Sequence, residues 1–289
     1  METLLNAYAK LNISLDIVSK MDNGYHSMKM VMQSIELHDE IMLSCTPGSG
    51  INVRTDLKYL PGDDRNIAAK AASVFFRHTG INGYETKIDI KKSIPVCAGL
   101  GGGSTDGAAV LRGLDQMFGT QLGRGVLEEL GLRIGSDVPF CIAGGTSLAE
   151  GRGEILRELR PLPDCAIVIC KPSFAISTPE LFARINCEKI HCRPDTDGII
   201  DALEKQSLSG VARRMYNVFE NVLPKGCGAI DDIKVSMLDF KATGTVMTGT
   251  GSAVFGVFSD RRAAEDAYHE LSRSYQEVFL TGPIGRLEI

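Results

Sequence analysis

Residues 95–108 read PVCAGLGGGSTDGA. Glycines let a backbone approach a ligand closely, and a helix starting just after them offers unpaired amides to anionic oxygens, so this segment suits phosphate. Ser104 or Thr105 is expected to cap that helix, which runs to about Phe118. The segment carries no lysine in a G-x-x-x-x-G-K-[ST] frame and opens no early βαβ unit with an acidic ribose partner. Neither a P-loop nor a Rossmann turn describes it, and a structural turn is the plain alternative. A second glycine-rich stretch, 247–256 (MTGTGSAVFG), sets Gly249, Thr250, Gly251 and Ser252 at a strand entrance. Taken alone, it is equally a tight turn at a sheet edge.

Other side chains could supply the chemistry that such loops would serve. Lys10, with Asn12 two positions on, could stabilise charge on a transferred phosphoryl group or lower the proton affinity of a nearby hydroxyl. Asp137, between Gly135-Ser136 and Val138-Pro139-Phe140, could orient or deprotonate a hydroxyl. Tyr25 and His26, in DNGYHSM, suit stacking and edge hydrogen bonding to a heterocycle, and Phe182 could add a second ring face. Each has an ordinary counterpart: a surface lysine, a capping carboxylate, a packed loop, a core phenylalanine. The cysteine pairs 165/170 and 187/192, the latter beside His191, do not make a tetrahedral zinc site, because Cys165 and Cys170 point to opposite faces of a strand. Cys97 and Cys141 lack a nucleophile–base arrangement and read as small buried groups.

The elements that must position these residues follow from periodicity. Ala9, Leu11, Ile13, Leu15 and Ile17 alternate with Lys10, Asn12, Ser14 and Asp16, which predicts a strand with one wet face. Strands are expected over 34–43 and 84–90, with an alanine-rich helix over 66–78 that stops at Gly80. A short helix follows at 125–130. Residues 165–170 (CAIVIC) read as a buried strand, 253–258 as another, and 179–185, 198–205, 208–222 and 261–272 as helices. Without regular βαβ spacing, the class is α+β. Gly144, Gly145, Gly151 and Gly153 punctuate the end of a first half, which gives domains at 1–153 and 154–289.

Composition narrows the setting. The 289 residues suffice for two domains with substantial cores, which excludes a stapled mini-protein. Lys and Arg sum to 31 against 36 Asp and Glu, so no basic excess is present to hold a nucleic-acid backbone. The N-terminus shows no leader pattern, and the long uncharged run 242–259 is too rich in Gly, Thr and Ser for a membrane span. Eight cysteines in a chain that needs no staples read as free thiols in a reducing cytoplasm.

Taken together, AYAKLNISLDI, DNGYHSM, IPVCAGLGGGSTDGAAVLRGL, IGSDVPFCIAGGTSLAEGRGE and TGTGSAVFG, in this order from residue 7 to residue 256, resemble the family of galactokinase, homoserine kinase, mevalonate kinase and phosphomevalonate kinase. The resemblance implies a first domain like the second domain of ribosomal protein S5, a ferredoxin-like second domain and an active cleft between them. It implies a cytoplasmic, ATP-dependent small-molecule kinase using Mg2+, with no nucleic-acid or membrane partner. The cleft needs no second subunit, so a monomer is expected and a dimer stays open.

By the same resemblance, Pro95, Val96, Cys97, Ala98, Gly99, Leu100, Gly101, Gly102, Gly103, Ser104 and Thr105 wrap the ATP phosphates, and Asn66 contacts the nucleotide. Lys10 and Asp137 would face the acceptor hydroxyl. Within the family, the motifs come nearest to the branch that phosphorylates a cytidine diphosphate-linked methylerythritol in the non-mevalonate isoprenoid route. There Tyr25 and Phe182 would sandwich cytosine, with Phe174 able to exchange with Phe182, and His26 would read the base edge. Asn12 would contact the erythritol end, and Thr178 with Gly249, Thr250, Gly251 and Ser252 would line the substrate side. A family kinase for mevalonate or homoserine, or a nucleotide-binding regulator without catalysis, are the alternatives, and retention of Lys10 and Asp137 argues against the second.

Overall fold

Two long antiparallel strands, β1 (Glu2–Lys20) and β2 (His26–Pro47), form the spine of the first half of the computed structural model, which describes residues 1–22 and 24–288. Asn23 of the DNGYHSM motif and Ile289 lie outside the described residues. β3 (Gly50–Thr55) runs parallel to β4 (Tyr84–Lys91) at the sheet edge, with α1 (Ile67–Thr79) crossing between them. Asn66 caps α1 by accepting from the Ala68 amide, and Gly80, in left-handed backbone, ends it as its position in the sequence suggests. Then come α2 (Gly102–Phe118), α3 (Gly123–Leu132), α4 (Val138–Ala143) and a hairpin of β5 (Thr146–Gly151) and β6 (Ile155–Glu158), β5 pairing with β2.

The second half contains β7 (Ala166–Lys171), α5 (Thr178–Arg184), α6 (Thr196–Glu204), α7 (Leu208–Ala212), β8 (Tyr216–Asn217), α8 (Ala229–Asp239), β9 (Gly244–Met247), β10 (Val254–Phe258), α9 (Arg261–Leu271) and β11 (Glu277–Thr281). Its antiparallel sheet has the order β11-β7-β10-β9. With α8 ahead of β9 and α9 ahead of β11, this is the β-α-β-β-α-β arrangement of a ferredoxin-like domain. The first sheet draws on this half too. β8 pairs in parallel with β1 at Ser14 and Leu15, and Pro283 and Arg286 bridge back to Ile35 and Gly144. The expected division at 153/154 falls inside the β5–β6 hairpin.

The two sheets share a core. Leu11 and Ile13 of β1 pack with Ile167 and Ile169 of β7 and with Phe255 and Val257 of β10. The other face of the second sheet, with Val168 and Cys170, is covered by Ile233 and Met237 of α8 and Ala264 and Ala267 of α9. Burial on both faces explains the unbroken apolar run of β7.

Two expectations are corrected. The polar face of β1 is not wet: Lys10 is 5% exposed, Asn12 1% and Ser14 0%. Register shifts at Tyr8/Lys10 and Asn12/Ser14 flank Lys10 and Asn12, and such bulges re-aim side chains, here into a cleft roofed by the second half of the chain. Nor is 208–222 one helix. It breaks after Ala212 because residues 216–217 join β1 as a strand and the Asn217 amide bonds the carbonyls of Met247 and Gly249, at 2.8 and 2.7 Å. Tertiary hydrogen bonds there outweigh local helix propensity. No helix among the described residues is long and apolar enough to cross a membrane, and all eight cysteines are free thiols.

Candidate active site

The loop before α2 and the loop between β9 and β10 lie against each other. A Cβ added to Gly99, whose φ is +77°, would stand 2.1 Å from the Thr248 carbonyl oxygen, so only glycine permits this approach. Thr248 Oγ1 donates to the Gly99 carbonyl at 3.2 Å and accepts from the Asn12 amide at 3.0 Å, while the Ala253 amide donates to the Ala98 carbonyl. One hydroxyl therefore ties both glycine-rich loops to β1. Thr248 and Asn217, which brace this junction, escape sequence reasoning because their partners lie far away along the chain.

Ser104 and Thr105 do not cap α2. The helix starts three to four residues earlier than that, with Gly101 as its N-cap and no side-chain cap bond, and the Thr105 amide already bonds the Gly101 carbonyl. The amides of Gly102, Gly103 and Ser104 thus occupy the helix start, where intrahelical acceptors are lacking, beside the loop that precedes it. Thr105 is buried, with its hydroxyl donating to the Gly102 carbonyl. A pocket of about 330 Å³ is lined by Pro95, Val96, Ala98, Leu100 and these helix-start residues, and by Asn66, Lys92 and Asp106. The Asn66 side chain is already engaged, accepting from the Ala68 amide and donating to the Pro61 carbonyl.

A larger cleft of about 1070 Å³ adjoins this pocket, and the two share Gly99, Gly101 and Cys97, which is exposed at this loop and not a buried group as expected, whereas Cys141 is buried. At that junction the Lys10 amide donates to the Leu100 carbonyl, and the Lys10 ammonium donates to Asn12 Oδ1 at 2.7 Å and lies 3.5 Å from Asp137 Oδ2. Asp137 immediately precedes α4, whose residues are all buried, yet its carboxylate makes no cap bond. It pairs with Lys10 and lines the cleft. A cation, an amide and a carboxylate brought together beside a phosphate-sized row of backbone amides can align a hydroxyl for attack and stabilise the charge that develops.

Tyr25, His26, Thr178, Phe182, Gly249, Thr250 and Gly251 line the same cleft. The His26 and Phe182 ring centroids are 5.2 Å apart, and Phe182 leans edge-on against Phe219 at 4.9 Å. Burial and the Lys20 charge lower the His26 pKa, which keeps its imidazole neutral near pH 7, with one donor and one acceptor nitrogen. The Thr178 and Thr250 hydroxyls are 2.8 Å apart. Phe174 and Ser252 sit elsewhere: Ser252 is fully buried and donates to the Phe174 carbonyl at 2.6 Å, and neither lines the cleft.

Sequence reasoning passed over Arg152, whose guanidinium stands 5.1 Å from the Tyr25 ring centroid, although it lies within the quoted AEGRGE segment. It also passed over a buried ionic cluster beneath the glycine-rich loop. Lys92 bridges Asp39 at 2.5 Å and Asp106 at 2.7 Å. Burial opposes the Lys92 charge, but Asp106 and Asp39 outweigh it and its pKa is raised. Burial is also the main cause that pushes Asp106 up to about 7, against the pull of Lys92 and with the help of the Asp39 charge.

The pattern of the GHMP kinases N terminal domain matches residues 66–145, and that of the GHMP kinases C terminal domain matches residues 199–277. The chain is similar to a 4-diphosphocytidyl-2-C-methyl-D-erythritol kinase of Clostridium botulinum (strain Loch Maree), at 41% identity over 281 residues, 97% of this chain and 100% of the relative. A crystal structure of a 4-(cytidine 5'-diphospho)-2C-methyl-D-erythritol kinase superposes with a TM-score of 0.82 at 29% identity, covering 99% of this chain and 100% of that one. A homoserine kinase from Cytophaga hutchinsonii shares the fold, with a TM-score of 0.74 at 17% identity and coverage of 99% and 95%.

Proposed function

The chain belongs to the GHMP kinase family, and from that premise we propose that it transfers the γ-phosphoryl group of ATP to the 2-hydroxyl of 4-diphosphocytidyl-2-C-methyl-D-erythritol. The observation that carries this reading is the junction of the two cavities at Gly99 and Gly101, with Lys10 and Asp137 standing beside it. The choice of acceptor draws on the similarity to kinases of that name and on the rings of Tyr25, His26 and Phe182 in the larger cleft.

In this reading the nucleotide occupies the smaller pocket, and its triphosphate runs along the amides at the start of α2 toward Lys10. The acceptor lies in the larger cleft with its cytosine between Tyr25 and Phe182, its edge read by His26. Asn12 meets the erythritol end, while Thr178 and the 249–251 backbone border it. Asp137 orients the 2-hydroxyl and receives its proton, as the bond from that oxygen to the γ-phosphorus forms and the bond to the ADP oxygen breaks. Lys10 stabilises the charge on the transferred group. The nucleophile belongs to the substrate.

Magnesium, when bound, neutralises triphosphate charge. No group of three or more His, Cys, Asp or Glu residues among the described residues could hold it. In this reading the cation is carried in on phosphate oxygens and water. We read the first sheet with its helices, including the whole β5–β6 hairpin, as the nucleotide-binding body, and the sheet β11-β7-β10-β9 with α8 and α9 as the ferredoxin-like body of a cytoplasmic monomer, since both walls of the cleft come from one chain.

The test is ATP-dependent phosphorylation of the cytidine-bearing alcohol, with mevalonate and homoserine as parallel acceptors and the product read by mass and phosphorus NMR. Selective formation of the 2-phosphate is expected. Equal or preferential use of mevalonate or homoserine would refute the acceptor assignment.

A further inference from the structure

We propose that Asp106 takes up a proton when the phosphates of a nucleotide enter the glycine-loop pocket, so that nucleotide binding and proton uptake are a single event. This rests on the reading of that pocket as the phosphate site.

The cluster beneath the loop holds one ammonium and two carboxylates. The side chains of Lys92, Asp39 and Asp106 are 4%, 0% and 6% exposed, so the three charges sum to a buried net negative. The two carboxylates are not equivalent. Asp39 Oδ1 accepts from the Ser93 and Ile94 amides at 2.6 and 2.8 Å, and its Oδ2 accepts from Lys92, so its charge is fully solvated by donors. Asp106 accepts from Lys92 alone, through Oδ2, and its buried Oδ1 has no hydrogen-bond partner. An orphaned buried acceptor on the less supported carboxylate marks where a proton would go.

Position supplies the coupling. Lys92 and Asp106 both line the glycine-loop pocket, and Lys92 Nζ would lie 3.4 Å from a Cβ at Gly102, the first residue of α2. Phosphates resting on this helix start bring negative charge against a floor that is already net negative. Protonating Asp106 removes that charge, leaves Oδ2 accepting from Lys92, and turns the orphaned acceptor into a donor. The proton comes from solvent, and no other bond changes.

The groups around Asp106 support this assignment. Lys92 and Asp39 of β2 are the charges whose fields act on it. α1 presents Ile67 and Ala71 to the neighbouring Gly107, and Lys10 of β1 is engaged with Asn12 and Asp137. On α4, burial pushes the Cys141 thiol upward, which keeps it neutral; Arg112 of α2 donates to the Cys141 carbonyl. Burial already raises the proton affinity of Asp106 to about 7, far above that of an ordinary carboxyl, so added negative charge in the pocket favours proton uptake.

Calorimetric titration with Mg2+ and a non-hydrolysable ATP analogue, in two buffers of different ionisation enthalpy at pH 7.5, measures proton uptake directly. Wild-type protein is expected to take up a substantial fraction of a proton, and its nucleotide affinity to fall by up to about tenfold per pH unit in alkaline solution. Asp106→Asn, which mimics the protonated acid in shape, is expected to lose both effects and serves as the blank for protons on the nucleotide. Infrared difference spectra of the wild type should gain the band of a protonated carboxyl on nucleotide addition, a readout that needs no variant. Binding without uptake, unchanged uptake in Asp106→Asn, or no new carboxyl band would overturn the proposal. Absence of nucleotide binding would overturn the phosphate-site reading and this inference with it.

Discussion

The Lys10 ammonium lies 3.5 Å from Asp137 Oδ2, although the two residues are 127 positions apart and one belongs to a strand and the other to a helix entrance. Lys10 is held from three sides. Its backbone bonds Leu100, its Nζ bonds Asn12, and its side-chain carbons pack over Gly101. A lysine so fixed cannot swing away as a surface lysine would, and its charge is delivered at the junction of the two cavities.

Replacing it tests that role. Lys10→Met keeps the length of the side chain and removes the charge, and kcat is expected to fall by about 10²–10³. Steady-state kinetics with both substrates saturating would measure it; a kcat within threefold of wild type would contradict the role.

Gly99→Ala places a methyl group where the Thr248 carbonyl stands, in backbone that disfavours side chains. A loss of about 1–3 kcal/mol in stability is expected, with a raised KM for ATP as the two loops separate. Chemical denaturation and ATP kinetics report the two effects independently.

The aromatic end of the cleft predicts a change confined to the acceptor. Tyr25→Ala should raise the acceptor KM by about 5- to 100-fold through lost base stacking, and Tyr25→Phe should retain affinity. Arg152→Ala should raise it by about two- to fivefold, since the guanidinium above the ring acts as a cation–π buttress at a solvent-facing site. KM for ATP should stay level in all three. Because the His26 pKa is lowered, acceptor affinity should be flat across neutral pH and weaken only in more acidic solution than an ordinary histidine would require.

Asp106 links the site to stability. Its carboxyl binds a proton at about pH 7 in the folded chain against an ordinary value of 3.8, so between these values the folded state holds more protons than the unfolded one. Stability from this group is therefore greatest in acid and is lost as pH rises through that window. The Tm of Asp106→Asn minus that of wild type should grow from pH 4 toward pH 7 and then level off. A difference that shrinks over the same range would reverse the sign and refute the raised proton affinity.

Much of this architecture can be read from local pattern. Alternation through Ala9–Ile17 announces β1, Asn66 and Gly80 bracket α1, and the glycines of 95–108 announce a loop feeding a helix. The buried polar face of β1 could not be read this way, because alternation shows that two faces differ and not what covers each. The bulges at Lys10 and Asn12, the hydroxyl of Thr248 and the strand at Tyr216–Asn217 all depend on partners distant in sequence. The ionic cluster shows the same limit: Lys92, Asp39 and Asp106 look like solvated charges until the fold stacks β2, the glycine-rich loop and α2 around them.

The most direct test of the central claim is single-turnover phosphoryl transfer by Asp137→Asn, with ATP and the cytidine-bearing acceptor both shown to be bound. A group that receives and orients the hydroxyl proton should lose about 10²–10⁴ in the transfer step while both affinities stay within a few-fold of wild type. Transfer at the wild-type rate would show that the carboxylate beside Lys10 is not where the reaction takes place.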